Sequence, residues 1–148
     1  MLQFSINGEP NNFIKITIEK EYGFPETTSP FGGYDVVAVV EIKSSNYHVK
    51  GMFWVTTGNI FDFYNKLKVC QKKLTGQAKF DSYENNLALS LEYDSLGHVN
   101  VSGEFIENFT ENNVLKFEFK TDQTFIIRTI DELEEIYKKY GDNLGIKK

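Results

Sequence analysis

The side chains able to do chemistry in this chain are few and scattered. His48 and His98 lie far apart, and neither has a neighbour at the H-x-H or H-E-x-x-H spacing that a zinc site uses. His48 shares one face of an alternating segment with Lys50, Met52 and Trp54, which leaves it open to a functional role. A partly exposed strand histidine is the plainer reading. The single cysteine, Cys70, falls on the apolar stripe of a helical segment, where a thiol has neither the access nor the lowered pKa that reactivity needs. One cysteine also excludes an intramolecular disulfide and every zinc pattern built on two thiolates. Carboxylates are plentiful, but a general acid needs a raised pKa beside an ionised partner, and no spacing here marks such a pair. Gly32-Gly33 and the stretch Gly141 to Gly145 lack the strand-to-helix setting of a phosphate loop. No catalytic, cofactor-binding or metal-ligating set emerges.

What remains is the chemistry of surfaces that recognise one another. Asp131, Glu134 and Glu135 share the polar face of a helical segment and could steer a basic partner. A solvated helix face is the competing reading. Trp54 and Phe61 are the candidate anchors, because aromatic side chains dominate interface energetics. Burial against a central strand or beside a helix would account for them equally well.

The elements that position these residues follow from periodicity. Apolar and polar residues alternate in Ile14 to Glu19, Leu87 to Glu92, Val99 to Ser102 and Leu115 to Lys120, the pattern of antiparallel strands with one face on a core. Val36 to Ile42 is apolar on both faces, which predicts a central strand covered on its second side. Ser44-Ser45-Asn46 and Ser95-Leu96-Gly97 punctuate hairpins, so consecutive strands form a meander. Two segments carry the helical period. Ile60, Phe63, Tyr64, Leu67, Cys70 and Leu74 make a stripe that predicts a helix over residues 59–74, with Asn59 as N-cap. Phe61 lies off that stripe. Ile130, Leu133, Ile136, Tyr137 and Tyr140 predict a second helix over 130–140. Thr129 and Glu132 read as its capping box, and Gly141 as its stop. Residues 23–33, with two of the prolines, read as a long loop able to act as a lid, and residues 142–148 as a loose tail.

Composition sets the frame. At 148 residues, 41% hydrophobic and 25% charged, the chain fits one domain, 1–148, with enough core to hold without disulfides or metal. No apolar run approaches the roughly 20 residues of a membrane span, and the N-terminus lacks a signal-peptide pattern, so a soluble cytoplasmic protein is expected. A net charge of −5 with a single arginine, Arg128, argues against a nucleic-acid binder.

With this strand–helix–meander–helix order in place, the chain resembles the WapI-type immunity proteins of bacterial polymorphic toxin systems. The resemblance rests on Tyr34-Asp35 at a strand entry and on Trp54 leading into the first helix. It continues in the leucine-rich strand after Tyr83-Glu84 and in Leu115 to Phe125, with its Phe117-x-Phe119 and Asp122-Gln123-Thr124. Asp122 reads as a turn residue whose side chain bonds the backbone two residues on. The resemblance implies an inhibitor without catalytic residues, whose partner is a cognate toxin domain, often a basic nuclease. The expected fold is α+β: a curved antiparallel sheet or sandwich of about eight strands with two amphipathic helices. The alternative function is a ligand-binding β-barrel or sandwich, which would require an internal apolar cavity of roughly 300–1,000 Å³. An enzyme ranks third.

Overall fold

Strands with two alternating faces must bury one of them, and this chain does so by pairing two sheets. In a computed structural model that describes residues 1–146, β1 (Gln3–Gly8), β2 (Asn12–Tyr22), β3 (Asp35–Ser44) and β4 (Tyr47–Thr56) form one antiparallel sheet in chain order. A second sheet repeats the meander with β5 (Gly76–Asp81), β6 (Leu87–Tyr93), β7 (His98–Phe105) and β8 (Leu115–Asp122). Helix α1 (Thr57–Lys73) connects the sheets, and α2 (Gln123–Tyr140) follows the last strand. The architecture is α+β with eight strands and two helices, as the alternation predicts. No helix among the described residues is long and apolar enough to cross a membrane.

The inward residues of both sheets and the helix stripes share one core. Phe63 of α1 stands between Phe4 of β1 and Phe80 of β5, with ring centroids 6.1 and 5.7 Å away, so one ring links a helix to both sheets. The strands β1 and β5 are not evident from the sequence because each contributes only two core positions, Phe4 and Ile6 or Ala78 and Phe80. The predicted cover over the second face of β3 is not there: among the described residues no element packs on that side, which is the outer face of the sheet. Val37 and Val39 are half-buried, and their cross-strand neighbours, Trp54 and Met52, are the side chains beside them.

Both helix starts differ from expectation. Thr56 is the N-cap of α1: its hydroxyl accepts the Asn59 N–H at 3.0 Å, and the Asn59 side chain accepts the Thr56 N–H at 3.1 Å. Asn59 is thus the distal half of a capping box. Leu74 leaves the predicted stripe because it is the left-handed C-cap, with φ 53°, and is exposed. The correction to α2 is larger. The helix begins seven residues before Ile130, capped by Asp122, whose Oδ1 accepts the backbone N–H of Thr124 at 2.9 Å and of Phe125 at 3.3 Å.

Thr129 and Glu132 do not cap. They face the free edge of β1, where the Thr129 hydroxyl donates to Ser5 O at 2.7 Å and Glu132 Oε1 accepts the Ser5 N–H at 3.0 Å. Thr121 of β8 donates to Asn7 O two residues along. An unpaired strand edge invites pairing with another chain, and here α2 and β8 satisfy it with side chains.

Replacing Asp122 by alanine is expected to cost about 1 kcal/mol of stability at neutral pH. The hydrogen bond from the Thr124 hydroxyl, then the Phe125 and Thr124 amides, hold this carboxyl below its ordinary range. A depressed carboxyl contributes its full stabilisation above its unfolded pKa, about 3.9, and loses it as pH falls through the folded value. Denaturation of wild type and Asp122→Ala should therefore differ at pH 7 and converge in acid.

Residues 142–146, expected as a loose tail, form a built turn. Gly33 N–H donates to Asn143 O at 2.7 Å, Ile146 N–H to the Tyr34 hydroxyl at 3.1 Å, and Tyr34 O–H to Pro25 O at 3.0 Å. The Phe24 ring packs edge-on against Tyr34 and Tyr140. The loop 23–33 is thereby tied to α2 and to the terminal turn, which leaves a lid reading without a hinge. Residues 147 and 148 of the expected tail lie outside the described residues.

Candidate partner-binding surface

The five candidate interface residues fall in three places. Trp54 projects from the outer face of the first sheet, 38% exposed, and its ring lies 5.2 Å from that of Tyr22 on β2. The register explains the pairing. Lys20, Val37 and Trp54 align across β2, β3 and β4, and the next rows are Tyr22, Asp35, Thr56 and Thr17, Val39, Met52. Trp54 therefore sits within an apolar patch that includes Tyr22, 40% exposed, and Met52, 56% exposed. Sequence reasoning grouped Met52 with Trp54 but missed Tyr22. The signal was the alternation Lys20-x-Tyr22, which the bulge between Ile18 and Lys20 shifts out of phase with Ile14 to Ile18.

Phe61 is half-buried and stacks on Tyr137 of α2, centroids 5.4 Å apart and planes 24° from parallel. This contact accounts for a residue off the α1 stripe. It also corrects Tyr137, placed in the buried stripe by its spacing but 41% exposed. The seam below them, lined by Ile60, Tyr64, Leu133 and Ile136, leaves no room for a water molecule. A Phe61 used as helix-packing surface is only partly available to a partner.

Asp131, Glu134 and Glu135 are exposed on α2, as their spacing predicts. Their face is not uniformly acidic: Glu135 Oε1 meets Lys138 Nζ at 3.2 Å, and Arg128 and Ile127 are exposed one turn earlier.

The groups with potential for catalysis remain apart. His48 Nε2 lies 2.7 Å from Glu41 Oε2, and Lys15 Nζ lies 3.5 Å from the other carboxylate oxygen. The His48 hydrogen bond, joined by Lys15, holds the Glu41 carboxyl below its ordinary range. The trio stands on an open sheet face, and its polar groups satisfy one another. His98 pairs with Asp94 at 3.4 Å on the other sheet, where Asp94 also accepts the backbone N–H of Leu96 and His98. Burial pushes the Cys70 thiol up, as its core position predicts. Among the described residues, no three His, Cys, Asp or Glu side chains are placed to hold a metal ion.

Two hollows on the described surface are open to solvent. One of about 400 Å³ is lined by Val49, Phe105, Glu107 and residues 112–115; another of about 440 Å³ lies on the polar face of the second sheet. Neither is the enclosed apolar cavity that a ligand-binding module needs.

The model of the Immunity protein WapI-like family matches residues 5–141, from within β1 to the C-cap of α2. No curated protein and no solved structure matches the chain.

Proposed function

Since the chain belongs to the Immunity protein WapI-like family, we propose that it neutralises a cognate toxin domain by binding it in a stoichiometric complex. The family match carries this reading, because it spans both sheets and both helices. An inhibitor needs recognition surface and no reactive group, which agrees with histidines and a cysteine that are paired or buried. The toxin is of the nuclease type in this proposal, and basic, since an enzyme that approaches phosphates carries clustered cations. A chain of net charge −5 with exposed Asp131, Glu134 and Glu135 attracts such a domain at long range. The complex forms in the cytoplasm of the cell that makes both proteins.

The test is co-expression with the C-terminal domain of the protein encoded immediately upstream. That domain alone should arrest growth, and this chain should restore growth and co-elute with it at one-to-one stoichiometry. Reversing Asp131, Glu134 and Glu135 to lysine should slow association by about tenfold at low salt, with the difference shrinking at high salt. A toxic domain that is neither bound nor neutralised overturns the proposal.

A further inference from the structure

The two sheets present opposite outer faces to solvent. On the second sheet, cross-strand rows read Lys79, Ser90, Ser102, Glu118 and Gln77, Glu92, Asn100, Lys120, which is an ordinary solvated surface. On the first sheet, the equivalent rows place Tyr22, Val37, Val39, Met52 and Trp54 side by side, three of them exposed aromatics or methionine. Contiguous exposed apolar surface of this kind, rimmed by charge, marks an interaction site.

The rim specifies the partner. Around the apolar rows lie Lys15, Lys20, Lys43 and Lys50, with Asp35 and Glu41 in the same rows, Glu19 in the bulge before Lys20, and Glu107 Oε2 accepting the Met52 N–H at 3.3 Å on the β4 edge. Glu41 is already engaged by Lys15 and His48. Among the described residues, Lys20, Lys43 and Lys50 have no carboxylate within ion-pair distance: Lys20 sits over the Tyr22 ring at 5.1 Å, and Lys43 donates to Ser45 O. Lys20, in the Trp54 row, and Lys50, one row beyond Met52, thus flank the aromatic centre without ion-pair partners, and Lys43 lies a further row away. A second copy of this chain is a poor occupant, because an isologous contact would present the same unpaired lysines in place of the carboxylates that could meet them.

We infer that the outer face of β1–β4 is the docking surface for the toxin domain, and that it receives an apolar patch ringed by carboxylates. This rests on the immunity reading above and names the surface and partner chemistry that it leaves open. Trp54 and Met52 form the centre, with Tyr22 bracing the indole, and Lys20 and Lys50 set the rim. Four strands at about 4.8 Å spacing, with five rows about 6.8 Å apart, give a footprint of roughly 14 by 27 Å. That is about half of the roughly 800 Å² per partner of a standard interface, so flanking residues complete the contact. The acidic face of α2 contributes attraction at a distance, and the first sheet contributes the contact.

The experiment measures binding of the upstream-encoded toxin domain to wild type and to four variants. Trp54→Ala should weaken the dissociation constant by about 30-fold or more, and Trp54→Phe by much less. Lys20→Glu with Lys50→Glu should weaken the dissociation constant by at least about tenfold, mainly through faster dissociation, because the loss is in the contact and not in long-range attraction. Ser90→Glu with Ser102→Glu, on the outer face of the second sheet, should leave affinity unchanged. All these side chains are on outer faces, and circular dichroism with thermal melting confirms that each variant is folded. Wild-type binding with a silent Trp54→Ala overturns the docking surface and leaves the immunity reading standing. Tighter binding of the Lys20/Lys50 reversal shows a basic partner face and overturns the chemistry assigned to it. A toxin domain that wild type does not bind removes both proposals.

Discussion

Phe63→Ala is expected to remove about 3–5 kcal/mol of stability, the loss for deleting a fully buried phenylalanine whose surroundings cannot close. Phe63 has no exposed surface, and its ring contacts Phe4 from one sheet and Phe80 from the other. Those two rings are also in contact, 6.5 Å apart, so the void would be walled by α1 and both sheets together. Each wall is held by backbone pairing elsewhere, which prevents collapse into the space. A domain of this size typically has about 5–15 kcal/mol in total, so the variant should lie close to its unfolding threshold. Urea denaturation followed by circular dichroism provides the measurement. A loss under about 1 kcal/mol would mean that the helix moves to refill the site, and that α1 is not fixed between the sheets.

Gly33→Ala should be nearly as damaging, for a different reason. Gly33 has φ 69°, and a methyl group there would fall onto Thr57 Oγ1 and the Gly58 backbone nitrogen. Thr57 Oγ1 accepts the Tyr34 N–H at 2.8 Å, so the loop before β3 rests directly on the first turn of α1. Left-handed strain of about 1–2 kcal/mol would combine with loss of a buried hydrogen bond worth about 1–3 kcal/mol. Gly97→Ala is the internal control. It has a similar φ of 82°, but its nearest foreign atom, Gln123 Nε2, would be 3.4 Å away. Strain alone, about 1–2 kcal/mol, is expected there. The difference between the two melting curves isolates the close approach of loop to helix, and equal losses would show that the loop simply yields.

These contacts indicate how far a linear reading can reach. Strand alternation at Ile14 to Glu19 or Leu87 to Glu92 is legible because the pleat places successive side chains on opposite faces whatever the strand pairs with. The stripe of α1 is legible for the same reason at the helical period. Thr129 and Glu132 show where this fails. Spaced three apart before an apolar run, they match a capping box, yet they bond the edge of β1, more than a hundred residues away. The polar demand they meet is a strand edge, and local spacing carries no trace of it. Asp122 was legible as a residue that bonds the backbone two positions on. Its role as N-cap depended on residues 123–129 being helical, which packing of Ile126 into the core supports.

Among the candidate interface residues the division is similar. The exposure of Asp131, Glu134 and Glu135 followed from their position opposite the α2 stripe. Phe61 and Trp54 could not be separated in sequence, since each is an aromatic beside an amphipathic element. Only the cross-element neighbours distinguish them: Tyr137 covers Phe61, and among the described residues no element covers Trp54 beyond its strand neighbours Val37 and Tyr22.

By itself, then, the sequence determined which side of each alternating strand or striped helix is apolar, the absence of paired cysteines, and the acidic balance. These depend on residue type and a backbone period that is local. The tertiary structure alone decided the split into two sheets, the lateral rows that gather Tyr22, Met52 and Trp54, and the partners of Thr129, Glu132 and Tyr34. Those depend on register and on which edge meets which helix, set by the summed packing of residues far apart in the chain.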